Sequence, residues 1–133
     1  MKPTKYDNIF KDEPLIYIKG SSLIFLGGKE MSVEINVTGE VVTAYLGGEL
    51  DHHTARHMRE EIDNAVELNM PTLLVLDFKD VSFMDSSGIG LVMGRYRNLL
   101  KSGAELHITG APPQIYKMMK LAGIEKLATL EGR

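Results

Sequence analysis

The chain has 133 residues, of which 44% are hydrophobic and 25% charged, with no cysteine and a formal charge of −3 at pH 7. Length and composition fit one globular domain able to bury a core, and the missing cysteines exclude disulfides, zinc–thiolate sites and a cysteine nucleophile. Residues 31–133 carry 10 basic against 14 acidic side chains, which gives no basic footprint for nucleic acid and suits a basic protein surface better.

The first thirty residues differ from the rest. Met1 to Glu13 is polar and aperiodic, and no apolar run reaches the ~20 residues of a membrane span. Leu15 to Gly28 is interrupted by Lys19-Gly20-Ser21-Ser22 and lies behind a charged, proline-containing lead, a poor signal peptide. A cytoplasmic protein is the simplest reading. Leu15-Ile16-Tyr17-Ile18 and Leu23-Ile24-Phe25-Leu26 suggest a short hairpin across Lys19 to Ser22, with Gly27-Gly28 breaking the chain before Met31. Residues 1–30 therefore read as an extension: a docked hairpin, a flexible tail, or residues upstream of a natural start at Met31.

From Met31 the pattern is regular. Val33 to Thr38 and Val41 to Leu46 predict two strands around a Gly39-Glu40 turn, ended by Gly47-Gly48. Thr54 is the expected N-cap of a helix burying Ala55, Met58, Ile62, Ala65 and Val66. Pro71 marks its exit, and Thr72 to Phe78 reads as a central strand covered on both faces. A second helix follows Asp85-Ser86-Ser87 and runs to about Ser102, with Ile89, Val92, Tyr96, Leu99 and Leu100 at helical spacing. Ala104 to Thr109 is a strand. Pro112-Pro113 opens a third helix that buries Ile115, Met118, Met119 and Ala122. Gly123 closes it, and Lys126 to Leu130 adds a last short strand. The order β-β-α-β-α-β-α-β predicts an α/β domain with a mixed sheet packed against helices.

The most informative stretch is Phe83-Met84-Asp85-Ser86-Ser87-Gly88-Ile89-Gly90. It places two hydroxyls where a buried strand gives way to a helix, near the positive end of the helix dipole, a setting that suits phosphate. The ordinary reading of such serines is helix capping. Gly88 and Gly90 shift the balance, because they remove side chains from a first helical turn and keep the surface low beside an exposed hydroxyl. A hydrolase elbow is absent, since Met84-Asp85-Ser86-Ser87-Gly88 is not Gly-x-Ser-x-Gly, and so is the P-loop pattern. His53 and His57 stand four residues apart, but no Glu follows His53 in the metalloprotease arrangement, and surface histidines are the ordinary reading. Asp51 before the first helix caps it, or offers an exposed acid to a partner's arginine.

Gly48-Glu49-Leu50-Asp51-His52-His53-Thr54-Ala55, the stretch from Ser82 to Gly90, and Gly94-Arg95-Tyr96 together resemble the STAS-domain anti-sigma factor antagonists, most strongly the sporulation sigma factor F type. The resemblance spans about Met31 to Leu130 and implies a single STAS domain over residues 31–133. It further implies that Ser86 is the phosphoacceptor and that Asp51, His52, His53, Asp85, Ser87, Gly88 and Ile89 form the partner surface. The implied partner is an anti-sigma factor that is also a serine kinase, with ATP bound on the kinase and no cofactor on this chain. Unphosphorylated antagonist binds it and frees the sigma factor, phosphorylation switches binding off, and a PP2C-like phosphatase resets the switch. Neither nucleic acid nor membrane is an expected partner, and no metal or catalytic residue is expected. The rival readings are a scaffold-type STAS module of a larger complex and a serine-nucleophile enzyme.

Overall fold

The computed structural model describes residues 22–26 and 29–133. Six strands form one sheet in sequential order: β1 (Ser22–Leu26), β2 (Lys29–Thr38), β3 (Val41–Leu50), β4 (Leu73–Met84), β5 (Glu105–Ala111) and β6 (Thr129–Gly132). β1 to β3 are mutually antiparallel, and β3 to β6 run parallel. The helices are α1 (Ala55–Asn69), α2 (Ser86–Leu100) and α3 (Pro113–Leu121), the last followed by a 3-10 turn at Ile124–Lys126. No helix among the described residues is long and apolar enough to cross a membrane.

Alternation along the strands decides the layering. Val33 and Ile35, Val42, Ala44 and Leu46, Leu74, Leu76 and Phe78, and Leu106 and Ile108 are buried, while the residues between them are half-buried or exposed. The helices therefore cover one face of the sheet, and Met58, Ile62, Leu91, Val92, Leu99, Ile115 and Met119 complete the core. This corrects the expectation for β4. Its run looks uniformly apolar, yet only one face is fully covered; Val75 on the other lies half-buried between Thr43 and His107 of the flanking strands.

The run Leu23 to Leu26 pairs antiparallel with Lys29 to Ser32 and so extends the sheet, while the hairpin expected with Leu15 to Ile18 lies outside the described residues. Residues 1–21 and 27–28 lie outside the described residues. In α2 the buried face is Gly88, Leu91, Val92, Arg95 and Leu99, rotated from the predicted one; Ile89 and Tyr96 are half-buried and Leu100 is 59% exposed. The cause is Gly88, which packs directly on Met84 and turns that side of the helix onto the sheet.

The deviation that matters most concerns Gly47-Gly48. These residues do not end β3 but carry it through two register shifts to Leu50, with Gly48 at φ +83°, a value that favours glycine. β3 therefore extends until Leu50 lies beside Met84 of β4. The next residues on the two strands are Asp51 and Asp85, so the shifted pairing, in which the extra residues lie on β4 between Asp77 and Phe83, is what brings the two motifs together.

Candidate functional site

Asp85 N to Leu50 O, at 3.2 Å, ties the start of α2 to the turn that leads into α1. At that junction Asp85 is the N-cap of α2, with extended backbone at φ −108°, and its carboxylate accepts the Ser87 N–H at 2.8 Å. The Asp85 carbonyl accepts the Gly88 N–H at 2.9 Å. The cap is thus an aspartate and not a serine. Ser86 is the first helical residue, exposed, and its hydroxyl makes no hydrogen bond among the described residues. Ser87, one step on, is half-buried and lines a cleft between α1 and α2 that His52 also lines.

The Asp51 turn is self-contained. Asp51 is 4% exposed, and its Oδ1 accepts the backbone N–H groups of His53 at 2.8 Å and Thr54 at 3.2 Å. Thr54 is fully buried; its hydroxyl donates to the Glu49 carbonyl at 2.7 Å and accepts the Asp51 N–H at 3.0 Å. Thr54 does occupy the N-cap position of α1 but makes no side-chain cap bond, because the hydroxyl is spent on bracing the turn. The expectation that Asp51 is an exposed acid offered to a partner's arginine is corrected: its carboxylate is buried in the turn it organises, where unmet amide donors would be expensive. What the turn presents to solvent is His52 and His53, both exposed, with ring centroids 4.0 Å apart. His53 Nδ1 faces Asp51 Oδ1 at 3.7 Å, and His57 faces Glu61 at 3.8 Å, so the two histidines at helical spacing point to different carboxylates. One ligand atom each from Asp51, His52 and His53 falls within a 4.8 Å cluster, but Asp51 Oδ1 already accepts two amides and the set is one donor short of a closed structural zinc site.

Gly88 is also corrected. It is buried, and a Cβ there would collide with the Met84 side chain, so its small size serves packing and not a low contact surface. The glycine that keeps the surface low is Gly90, which is exposed and would leave any added Cβ with nothing within 4 Å. Ile89 is half-buried beside it. Phe83, 49% exposed near the end of β4, adds an apolar contributor to this surface that the motif alone does not mark as exposed. The departure from alternation at Ser82-Phe83, two exposed residues in a row between buried Val81 and Met84, is the physical sign of it.

Comparison with known proteins agrees with the motif resemblance at the level of the family. The STAS domain family profile matches residues 32–132. This chain belongs to the STAS domain family. Among curated STAS relatives, the anti-sigma F factor antagonist of Paenibacillus polymyxa is 32% identical over 97 residues, covering 73% of this chain and 83% of the relative. The solved structure of the unphosphorylated anti-sigma factor antagonist SpoIIAA superposes with a TM-score of 0.66 at 33% identity, covering 74% of this chain and 87% of that one. The phosphorylated form of the Bacillus cell fate determinant SpoIIAA superposes at 0.61, with 33% identity, over 74% of this chain and 90% of that one. The STAS match begins within β2, so β1 stands outside it.

Proposed function

We propose that this STAS domain is a cytoplasmic anti-sigma factor antagonist whose docking to an anti-sigma factor with serine kinase activity is switched off by phosphorylation of Ser86. One observation carries the reading: Asp85 does the capping, which leaves the neighbouring Ser86 hydroxyl exposed and without structural duty at the first position of α2. A hydroxyl so placed is reachable by a kinase active site, and its modification disturbs nothing the fold relies on. An antagonist 33% identical to this chain has been solved in an unphosphorylated and a phosphorylated form, which supports the same chemistry here.

The switch follows from charge. A phosphate adds roughly −1.5 to −2 charges and three acceptor oxygens. The helix dipole and first-turn amides favour an anion there, but the Ser87 and Gly88 N–H groups are already held by Asp85, whose carboxylate would sit next to the phosphate. Within a closed interface that dianion, facing Asp85 on one side and nucleotide phosphates on the kinase on the other, resists desolvation. A hundredfold loss of docking requires only about 2.7 kcal/mol, less than an unpaired buried charge typically costs. ATP belongs to the kinase, and a PP2C-like phosphatase removes the phosphate.

The direct test is incubation with the anti-sigma F factor of Paenibacillus polymyxa and ATP, followed by mass spectrometry of the phosphopeptide and measurement of binding before and after. Modification at Ser86 with at least a tenfold loss of affinity is expected. Modification confined to Ser87, or undiminished binding by the phosphorylated chain, refutes the reading. A large homomeric particle in analytical ultracentrifugation would favour the scaffold role instead.

A further inference from the structure

The cleft between α1 and α2, of about 570 Å³, opens immediately beside the Ser86 junction and is lined by His52 and Ser87 at its near end. Along it lie Arg56 and Arg59 from α1 and Arg95 and Arg97 from α2, with no aspartate or glutamate in the lining. This is a local reversal of sign in a chain whose net charge is −3. The four arginines are not equivalent. Arg95 is 6% exposed and held by Asp63, Nε to Oδ1 at 2.8 Å, while its Nη1 donates to the Leu91 carbonyl at 3.3 Å, so it braces the two helices. Arg56 is exposed and paired with Glu60 at 3.1 Å. Arg59 and Arg97 are exposed and form no ion pair among the described residues. Gly90 and Gly94, one turn apart on α2, line the same cleft and would leave open space even around an added Cβ, so an incoming side chain meets no obstruction there.

Resting on the antagonist reading above, we propose that this cleft is the second half of the docking surface and receives an acidic segment of the anti-sigma factor, whose carboxylates pair with Arg59 and Arg97. Exposed guanidinium groups suit planar carboxylates, which they can engage through two parallel hydrogen bonds. Fixed charges of one sign also steer a partner of the opposite sign before contact, which raises the association rate at low ionic strength. The arrangement gives the two sites separate tasks. The arginine cleft draws in and orients the partner, and Ser86, next in sequence to the Ser87 that lines it, decides whether the surfaces close. The overall acidity of the domain works against nucleic acid as the occupant.

The test uses the full chain and the Paenibacillus polymyxa anti-sigma F factor, with binding measured at 50 mM and 300 mM salt for wild type, Arg59→Glu/Arg97→Glu and Ser86→Asp. Both arginines are exposed, so the double variant should melt within 2–3 °C of wild type, and that measurement accompanies the binding. Expected results are a loss of affinity of at least tenfold for the double variant at low salt, a slower association rate, and a salt dependence visibly flatter than wild type. Arg59→Lys/Arg97→Lys should retain the salt dependence, because it keeps the charge. Wild-type affinity and salt dependence in Arg59→Glu/Arg97→Glu, with Ser86→Asp still defective, overturns the cleft assignment and leaves the antagonist reading standing. Absence of any wild-type binding overturns both. Arginine-dependent capture of a fluorescent single-stranded oligonucleotide, with partner binding indifferent to the arginines, overturns the acidic-protein occupant.

Discussion

Gly88 offers the sharpest separation between a packing role and a contact role. Replacing it with alanine removes the glycine penalty in a helix, a gain of up to about 1 kcal/mol. Against this, the new methyl would run into Met84 at its Cγ and Sδ, in a core where Met84 is 5% exposed. Overpacking of that kind costs about 1–3 kcal/mol, so Gly88→Ala should destabilise the domain by about 0–3 kcal/mol net. Truncating the obstacle reverses the sign. In a Met84→Ala background the space for the methyl exists and the helix gain remains, so adding Gly88→Ala should stabilise by several tenths of a kcal/mol up to about 1. Urea denaturation of the four proteins in the cycle measures both effects, and equal m-values would confirm that the native and denatured states remain comparable. The same substitution effect in both backgrounds would refute the claim that Met84 is what keeps residue 88 a glycine. Gly90→Ala provides the contrast: it should stabilise by about 0.5–1 kcal/mol in any background, because nothing occupies the space around it.

Ser86→Asp should bind the anti-sigma factor at least tenfold more weakly yet keep its thermal midpoint within 2–3 °C of wild type, since an acid at an exposed first-turn position is compatible with the helix dipole; a collapse of stability would show that the hydroxyl does structural work. Thr54→Val deletes a buried hydroxyl and with it the bonds that hydroxyl makes to the Glu49 carbonyl and the Asp51 N–H, a change expected to cost about 1–3 kcal/mol by denaturant titration. Burial holds the Asp63 carboxyl above its ordinary range, only partly opposed by the Arg95 guanidinium beside it. Its folded value being the higher one, the stability it contributes is full below the ordinary carboxylate range and declines as pH rises through the folded value. The difference in melting temperature between wild type and Asp63→Asn should therefore move in favour of wild type as pH falls from 7 to 4, and a difference that is flat or moves the other way would exclude the burial effect.

Much of this architecture is legible in the residues, and what is not has identifiable causes. The alternation of helices and strands after Met31 shows in the hydrophobic periods, and the Ser86 and Asp51 motifs announce a junction. Gly47-Gly48 misleads because two glycines usually end a strand; only pairing with β4 shows that they absorb register shifts and let β3 continue. The face of α2 is misjudged because side-chain hydropathy gives no weight to Gly88 and counts Arg95 as polar, whereas both are buried, one for want of a side chain and the other through Asp63 on the neighbouring helix. Burial of Asp51 is equally invisible, since a carboxylate becomes an interior group only when several backbone donors converge on it. The arginine cleft is spread over 42 residues of sequence from Arg56 to Arg97, and no window of the chain looks basic.

The site divides its labour in a way that explains how a phosphate can act without refolding. Every polar group that shapes the junction is committed elsewhere: Asp85 to the amides of α2, Asp51 to the amides of its own turn, and Thr54 to the carbonyl of Glu49. Among the described residues, neither Ser86 nor Ser87 uses its hydroxyl in a hydrogen bond, and Ser86 is the exposed one of the two. Had the serine been the N-cap, phosphorylating it would have changed the very group that caps the first turn, a contact worth about 1 kcal/mol, and binding and stability would change together. With an aspartate as the cap, the free energy of modification can be expressed almost wholly at the interface. The same logic predicts that in Asp85→Ser, where the capping position remains 85, modification at position 86 should still change affinity alone, whereas modification of the capping position itself would change melting temperature as well.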